Sequence, residues 1–369
     1  MKFLENGFSM MSNPGTSAAK TDEKFYDTKQ LSSGERRQAM ALLAEQNLPE
    51  GSICVMKPGK QEDFDVVPDL EQEKKGKSRA DWSKLSGCER AREIVGERFL
   101  KNSEWAGIDT VVIPGCGSSP LGAAALGKTL ARMYNTKVAA IAAGQGAFDT
   151  WMEAKSGAML MAPMANALNA FNPWLEASAP LNPTAARDYI HDLLDAIHEA
   201  ATLYELLEAR LLEKGKFDNL SMIVSHSKGN WAVLTALLAL ELAHGETLAT
   251  KYKDSKEPIK PIDIVTFGNP VDLPDMHKIM LKLFRYYQFV GEKDVLGHNC
   301  SAIAWFLHLR NEEKLDPNDP ELEGLPVAKL EKIVANAGHH LAPNEEFKPI
   351  DPMPIEEILK KIRPPMATR

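Results

Sequence analysis

One stretch near the middle of the chain limits the possible folds more than any other. A short apolar run, Phe217–Val224, predicts a buried strand, and the long apolar pattern of Ala232–Leu242 predicts a helix. Two small residues, Ser225 and Gly229, flank Ser227 at two positions' distance, so the strand and helix backbones can approach closely at the turn. The stretch therefore predicts a sharp turn with Ser227 at its tip, a nucleophile elbow. An ordinary strand-to-helix connection is the alternative.

From Asp81 onward, predicted strands and helices alternate, which is typical of a mostly parallel sheet with helices on both faces. We expect residues 81–369 to form one α/β domain. Further strands are expected at Thr110–Ile113, Lys137–Ala142, Ile262–Phe267 and Arg285–Val290. Further helices are expected at Glu89–Lys101, Pro120–Tyr134, Ala185–Leu212, Ser301–Arg310, Leu325–Ala335 and Pro354–Ile362.

Residues 1–80 have little periodic apolar pattern and predict an N-terminal arm or linker that is partly disordered. Two local signals stand out within it. Ser32–Glu35 resembles a capping box before a helix at Ala39–Ala44. Ser52–Met56 predicts a short strand.

A segment at about 145–185, between two predicted core strands, is rich in Ala and Met with interspersed aromatic residues. Flexible apolar side chains suit an adaptable binding surface, and insertions of this kind often carry function. We expect a helical lid or cap there, with plain packing of short helices as the alternative. The side chains expected to bind substrate are Met159, Met161, Met164, Phe171 and Trp174.

The composition indicates a protein with a substantial core and excludes several classes. The chain has 369 residues, of which 44% are hydrophobic, and its formal net charge of −8 argues against nucleic-acid binding. The four cysteines are widely spaced, so neither a zinc site nor a disulfide framework is expected. No secretory signal and no run of 18 apolar residues is visible, which favours a cytoplasmic protein without integral membrane association. Export without a cleaved signal stays open.

Asp294 is the candidate acid of a catalytic triad. A serine hydroxyl is a poor nucleophile unless a histidine takes its proton and a carboxylate orients that histidine. On an elbow of this kind the chain order is serine, then acid, then histidine. Asp294 follows the predicted strand Arg285–Val290, at the sheet edge where active sites gather. Asp272 and Asp275, after the preceding strand, are the competitors.

The candidate base lies in the segment Ala337–Asn344, which contains His339 and His340. Two adjacent histidines cannot both face the serine in one backbone conformation. We favour His339 because it directly follows a glycine, and His340 stays open. His298 is too near the predicted acid in sequence, and His226 is held beside the serine in the turn.

A triad needs two backbone donors that stabilise the developing oxyanion. One is expected from Lys228, directly after the serine, and the other from the loop Pro114–Ser119 after an earlier strand. By position Cys116 supplies the second N–H, with Gly115 and Gly117 allowing close approach. A tight glycine turn without function is the alternative.

Together these segments resemble the α/β-hydrolase serine esterases and lipases, and the pattern is most similar to the class 3 (fungal-type) lipases. The resemblance covers about 105–344 and implies an α/β-hydrolase fold that cleaves carboxylic esters of small molecules or lipids through an acyl-enzyme, without metal or cofactor. Ser225, Lys228 and Asn230 depart from the usual elbow and leave the substrate open. The segments that carry the resemblance are Pro114–Ser119, Ser225–Gly229, Thr266–Pro270, Asp294–Val295 and His339.

Two other functions compete with a hydrolase. Gly122–Thr129 fits the phosphate-binding pattern G-x-x-x-x-G-K-[ST], which would make the protein a P-loop nucleotide hydrolase. Its context argues against this, because Pro114–Leu121 separate it from the preceding strand and its alanines favour a helix. A non-catalytic hydrolase-like binding module is the third hypothesis.

Overall fold

The computed structural model describes twelve parts of the chain: 14–45, 48–68, 82, 84–105, 107–115, 118–142, 194–195, 197–213, 217–253, 260–268, 278–294 and 329–363. The predicted lid at 145–185 and the predicted helix Ser301–Arg310 lie outside the described residues. The elements below are numbered in chain order within these parts.

The described residues form an α/β fold around an eight-stranded mixed sheet with the strand order β2-β1-β4-β3-β5-β6-β7-β8. β1 runs antiparallel to both of its neighbours, β2 and β4, and all other neighbouring strands are parallel. The predicted mostly parallel sheet is confirmed at this level. The strands are β1 Ile53–Met56, β2 Asp65–Val67, β3 Thr110–Ile113, β4 Val138–Ile141, β5 Met222–His226, β6 Ile262–Phe267, β7 Phe284–Gly291 and β8 Lys329–Val334.

Helices cover both faces of the sheet. Successive strand residues point to opposite faces, and apolar side chains on each face pack against helices. On β5, Ile223 packs in one apolar cluster with α3, α5 and α6, whereas Val224 packs in another with α1, α2, α4 and α8. The helices are α1 Pro14–Phe25, α2 Ser33–Glu45, α3 Gly87–Ile94, α4 Pro120–Tyr134, α5 His198–Leu212, α6 Gly229–Lys253, α7 Lys278–Leu283 and α8 Ile355–Ile362.

Helix α4 has the predicted bounds, and its ends show why. The Ser119 side chain accepts a hydrogen bond from the N–H of Leu121, and Pro120 occupies the first turn, where its missing N–H costs nothing. At the other end Asn135 takes the left-handed conformation that stops a helix. This helix carries the P-loop-like letters Gly122–Thr129, so that segment is a buried helix and not a phosphate-binding loop. This placement argues against the P-loop hypothesis.

The described N-terminal residues differ from the predicted arm. β1 is fully buried between β2 and β4, and α1 and α2 pack against α4 in one of the two cores. The predicted capping box is confirmed, since the Ser32 N–H donates to the Glu35 carboxylate (2.8 Å) and the Glu35 N–H donates to the Ser32 hydroxyl (3.1 Å). Residues 14–45 and 48–68 thus belong to the α/β unit, because their apolar side chains complete its core.

One predicted helix is wrong. Within Leu325–Ala335 the structure has the strand β8, which pairs in parallel with β7 from Tyr286↔Lys329 to Gly291↔Val334. Its Lys, Glu and Leu residues favour a helix locally, but a free edge of the sheet beside β7 overrides that weak preference.

Helix α6 is long and apolar enough to cross a membrane by length and composition over Gly229–Tyr252. In the structure 61% of the apolar 18-residue window within this stretch is buried inside the protein. The central helix of a water-soluble core passes the same test, so this finding is weak evidence for a membrane span.

Candidate active site

Ser227 stands at the predicted turn between a strand and a helix. β5 ends at His226 and α6 begins at Gly229, and Ser227 between them has φ 53°, a left-handed value that is unfavourable for a residue with a side chain. A Cβ on Gly229 would lie 2.5 Å from the carbonyl oxygen of Ile113, so only glycine allows helix and strand β3 to approach this closely. The close approach of strand and helix agrees with the sequence prediction, and the structure adds the backbone strain at Ser227.

The two unusual residues of the turn, Ser225 and Asn230, are partners. The Ser225 hydroxyl donates to Oδ1 of Asn230 (2.7 Å), and Nδ2 of Asn230 donates to the carbonyl of Phe267 at the end of β6 (2.9 Å). Both side chains are fully buried. Ser225 and Asn230 therefore form a satisfied polar link that fastens the turn to the neighbouring strand.

His339 and Asp294 form the second half of the arrangement. Nδ1 of His339 lies 2.9 and 2.8 Å from the two carboxylate oxygens of Asp294, which is completely buried. The N–H of Lys293 donates to the carbonyl of Ala337 (2.9 Å), and this bond ties the turn after β7 to the loop that carries the histidine. The imidazole therefore has a fixed orientation, with Nδ1 toward the acid.

Gly268 lies between Ser227 and His339 and is close to both. Gly268 has φ +83°, and a Cβ built on it would lie 2.8 Å from Cε1 of His339 and 3.5 Å from the backbone nitrogen of Ser227. Among the described residues no hydrogen bond joins the Ser227 hydroxyl to His339, and such contacts commonly tighten only in the reacting complex. Sequence reasoning treated Gly268 only as part of a motif, whereas the structure shows that a side chain here would collide with the imidazole.

The neighbouring histidine, His340, points elsewhere. Its ring stacks on Phe347 with 4.5 Å between the centroids, and its carbonyl accepts a hydrogen bond from the N–H of Met353. Burial, and then the nearby His339, lower its pKa. Of the two candidate bases, the structure pairs only His339 with Asp294.

His226 connects the serine turn to the loop of His339, and the Tyr26 hydroxyl, which sequence reasoning missed, connects His226 to the loop after β3. The N–H of Gly115 donates to the Tyr26 hydroxyl (2.6 Å), which leaves that hydroxyl to donate to Nδ1 of His226 (2.9 Å). Nε2–H of His226 then donates to the backbone carbonyl of His339 (2.8 Å). Burial, reinforced by the charge of His339, lowers the pKa of His226 to about 3, so its ring is neutral at neutral pH.

Asp22 holds the loop after β3 from its other end. It is fully buried, and its carboxylate accepts hydrogen bonds from the Ser118 hydroxyl (2.9 Å), the Ser119 hydroxyl and the Ser119 N–H (3.2 Å). Burial raises the pKa of Asp22 to about 7 against the lowering effect of these donors. Neither Asp22 nor Tyr26 carries any local sequence signal, because their partners lie about 90 residues or more away.

The predicted oxyanion donors and substrate residues are only partly described. Lys228 directly precedes α6, and its ammonium pairs with Glu199 of α5 at 3.2 Å. The described residues contain no group of three potential metal ligands. Lying outside the described residues are Cys116, Met159, Met161, Met164, Phe171, Trp174, and the alternatives Asp272, Asp275 and His298.

Comparisons with protein-family models, with curated proteins and with solved structures found no match to this chain. What supports a catalytic site is therefore the geometry of the chain's own residues.

Proposed function

We propose that this protein is a serine hydrolase of the α/β-hydrolase type that cleaves carboxylic esters through an acyl-enzyme on Ser227. The observation that carries the proposal is the His339 imidazole. It is held at Nδ1 by both oxygens of the buried Asp294, and it lies across Gly268 from a serine in a strained strand-to-helix turn. A nucleophile, a base and an orienting acid at one edge of a parallel sheet are the parts that acyl transfer needs.

In the proposed reaction the Ser227 hydroxyl attacks the ester carbonyl while Nε2 of His339 accepts its proton. Asp294 keeps the proton of His339 on Nδ1, so Nε2 is the free base. The Asp294 carboxylate also stabilises the imidazolium that forms. The tetrahedral intermediate collapses, the C–O bond to the alcohol breaks, and His339 returns the proton to the leaving oxygen. Water then attacks the acyl-enzyme by the same route and releases the acid.

The surroundings suit that charge change. The developing oxyanion is expected to be bound by the N–H of Lys228 and by an N–H of the loop after β3, for which Cys116 stays the predicted donor. His226 lies against His339 with 4.7 Å between the ring centroids, and because it is neutral it adds no second positive charge beside the imidazolium. A charged ring at that distance would oppose proton transfer to the base.

We propose a carboxylic ester as the substrate class, because that is what the resemblance to serine esterases and lipases implies. The predicted lid at 145–185 stays a prediction, and with it a lipid acyl group bound by its Met and aromatic side chains. A series of p-nitrophenyl esters of increasing chain length tests it. Preference for long chains supports an acyl-binding lid, whereas reaction with short esters alone counts against it.

The experiment that tests the function is covalent labelling with a fluorophosphonate probe. The wild-type protein should be labelled, and Ser227→Ala should not be. Ser221→Ala is the matched control, because Ser221 directly precedes the other end of β5 and its hydroxyl accepts a hydrogen bond from Arg363. It should be labelled like the wild type.

Absence of labelling in the folded wild-type protein would reject the hydrolase and favour the non-catalytic binding module. Labelling that persists in Ser227→Ala would place the nucleophile elsewhere. Circular dichroism of each variant shows whether the fold is retained.

A further inference from the structure

We propose that the C-terminal end of helix α1, through Asp22, Phe25 and Tyr26, positions both the loop after β3 and the loop of the catalytic histidine, and so sets the rate of acyl transfer. This inference rests on the proposed function, and it adds to it a set of positioning residues from a part of the chain expected to be an arm.

The first contact set fixes the loop after β3. Asp22 and Tyr26 lie one helical turn apart, so their side chains project from the same face of the chain. The Tyr26 hydroxyl accepts from the N–H of Gly115, while the Asp22 carboxylate accepts from Ser118 and Ser119. The two side chains thus hold both ends of the loop from which the second oxyanion donor is expected.

The position of this loop matters directly to the nucleophile. A Cβ on Gly115 would lie 2.7 Å from Cβ of Ser227, so the loop backbone rests against the serine itself. A displacement of Gly115 would therefore move the expected oxyanion donor relative to Ser227. Misplacement of a catalytic group by about 1 Å can cost on the order of 100-fold in rate.

The second contact set fixes the base. The Tyr26 hydroxyl donates to His226, which in turn donates to the backbone carbonyl of His339. The carbonyl of Phe25 accepts from the N–H of Leu341 (2.8 Å), and the Phe25 ring meets the His339 ring edge-on with 5.8 Å between centroids. The end of α1 therefore contacts the ring of His339 and the backbone N–H of Leu341, and it reaches the carbonyl of His339 through His226.

Tyr26 is the residue at which the two contact sets meet. Its hydroxyl is bonded both to the loop after β3 and to His226, which leads to His339, and Tyr26 is 4% exposed. A purely structural tyrosine would contribute to stability and leave the turnover of the folded enzyme unchanged. A positioning tyrosine changes kcat with little effect on KM, because the geometry of the reacting groups changes and the substrate contacts do not.

The test is Tyr26→Phe in the full-length protein, assayed for hydrolysis of a p-nitrophenyl ester. We expect kcat to fall by about 10-fold to 100-fold, with KM within about 2-fold, because the donor and base lose alignment but stay present. Tyr134→Phe is the matched control. It removes a tyrosine hydroxyl that donates to the carbonyl of Leu359 (3.2 Å) at the far end of α4, and it should leave kcat unchanged.

Ser118→Ala provides a second, milder variant. It deletes one donor to Asp22 and leaves Tyr26 intact, and we expect kcat to fall by roughly 3-fold, again with KM unchanged. If Tyr26→Phe does not fold, Ser118→Ala carries the test alone.

The outcomes separate the inference from the function. If the wild-type protein is labelled by fluorophosphonate and either folded variant keeps wild-type kcat, or if Tyr134→Phe loses as much as Tyr26→Phe, the positioning role is wrong while the hydrolase stands. If the wild-type protein is not labelled at all, the proposed function itself has failed.

Discussion

Two segments of this protein match short glycine-containing motifs of enzymes, but they lie in different structural elements. The turn at Ser225–Gly229 leaves the end of a strand, whereas Gly122–Thr129 lies wholly inside helix α4. In the turn, Gly229 permits close contact with the backbone of β3. In the helix, Gly127 permits close contact with the sheet, since a Cβ there would lie 2.8 Å from Cγ of Met56.

The polar residues of the two segments differ in the same way. Lys128 is 1% exposed, and its ammonium binds the Glu35 carboxylate (2.5 Å) and the carbonyl of Lys57 (2.9 Å). It holds helices and sheet together and has no access to a phosphate. Ser227, by contrast, stands at the strand end with an oriented histidine nearby. Whether a short sequence motif can form a functional site thus depends on the structural element in which it lies.

The largest expected effect comes from removing His339, the proposed base that lies near the serine turn. We expect His339→Ala to lower kcat/KM by about 1,000-fold or more, because the serine loses its proton acceptor. His340→Ala should cost less than about 10-fold, since its ring faces Phe347. Ester hydrolysis by the two folded variants measures the difference. Equal mild losses would reject the assignment of either histidine as base.

Lys128→Met tests whether Gly122–Thr129 in helix α4 has a purely structural role. This change leaves the buried Glu35 carboxylate without its cation, and we expect the free energy of unfolding to fall by about 3–5 kcal/mol. The kcat of the folded protein should not change. Urea unfolding measures the loss, and Glu35→Gln added to Lys128→Met should restore part of it. Thermal protection of the wild-type protein by Mg²⁺ and ATP would contradict this interpretation and restore the P-loop hypothesis.

A smaller expected effect is the pH dependence of stability that His226, beside Ser227, produces. The pKa of His226 is lowered from 6.5 to about 3 on folding, so between these values the unfolded chain binds more protons and stability falls as the pH falls. Between pH 7 and 5 we expect the wild-type protein to lose about 2 kcal/mol more stability than His226→Gln.

Urea unfolding across this pH range measures that difference. The pKa of Asp22, raised to about 7, gives the opposite pH dependence, but it is present in both proteins and cancels in the comparison. Parallel pH profiles for the two proteins would show that His226 is not buried as a neutral ring.

The smallest effect concerns the polar link inside the turn. Ser225→Gly removes the donor to Oδ1 of Asn230 and should cost about 1 kcal/mol of stability. The double change Ser225→Gly with Asn230→Gly should cost less than the sum of the single changes, with a coupling energy of about 1 kcal/mol. Additive losses in urea unfolding would show that the two side chains are independent.

Where local signals agree with the fold, the sequence predicts the structure closely. β3, β6 and α4 have their predicted bounds because apolar runs and caps such as Ser119 and Asn135 mark both ends. β8 was predicted as a helix, since pairing with β7 is not visible in its own residues. β1 extends the sheet in the antiparallel sense, which no alternation of strands and helices could indicate.

The site shows the same limit. Ser227 and Asp294 follow from where predicted strands end, and His339 follows from the expected chain order and from the glycine before it. The structure brings the three residues to one edge of the sheet. The choice between His339 and His340 needed three-dimensional packing. The support from Asp22 and Tyr26 had no local signal, because a buried carboxylate or hydroxyl is recognised only by partners far along the chain.

The bond between the N–H of Leu341 and the carbonyl of Phe25 also has a consequence for synthesis. At about 5–20 residues per second, the ribosome needs roughly 15–60 s to reach Leu341 after making Phe25. Until then the end of α1 waits without its final partners, and closing so distant a contact is slow. A nascent chain that stalls before this loop lacks both His339 and the N–H of Leu341, so the proposed site cannot assemble until this loop has been made.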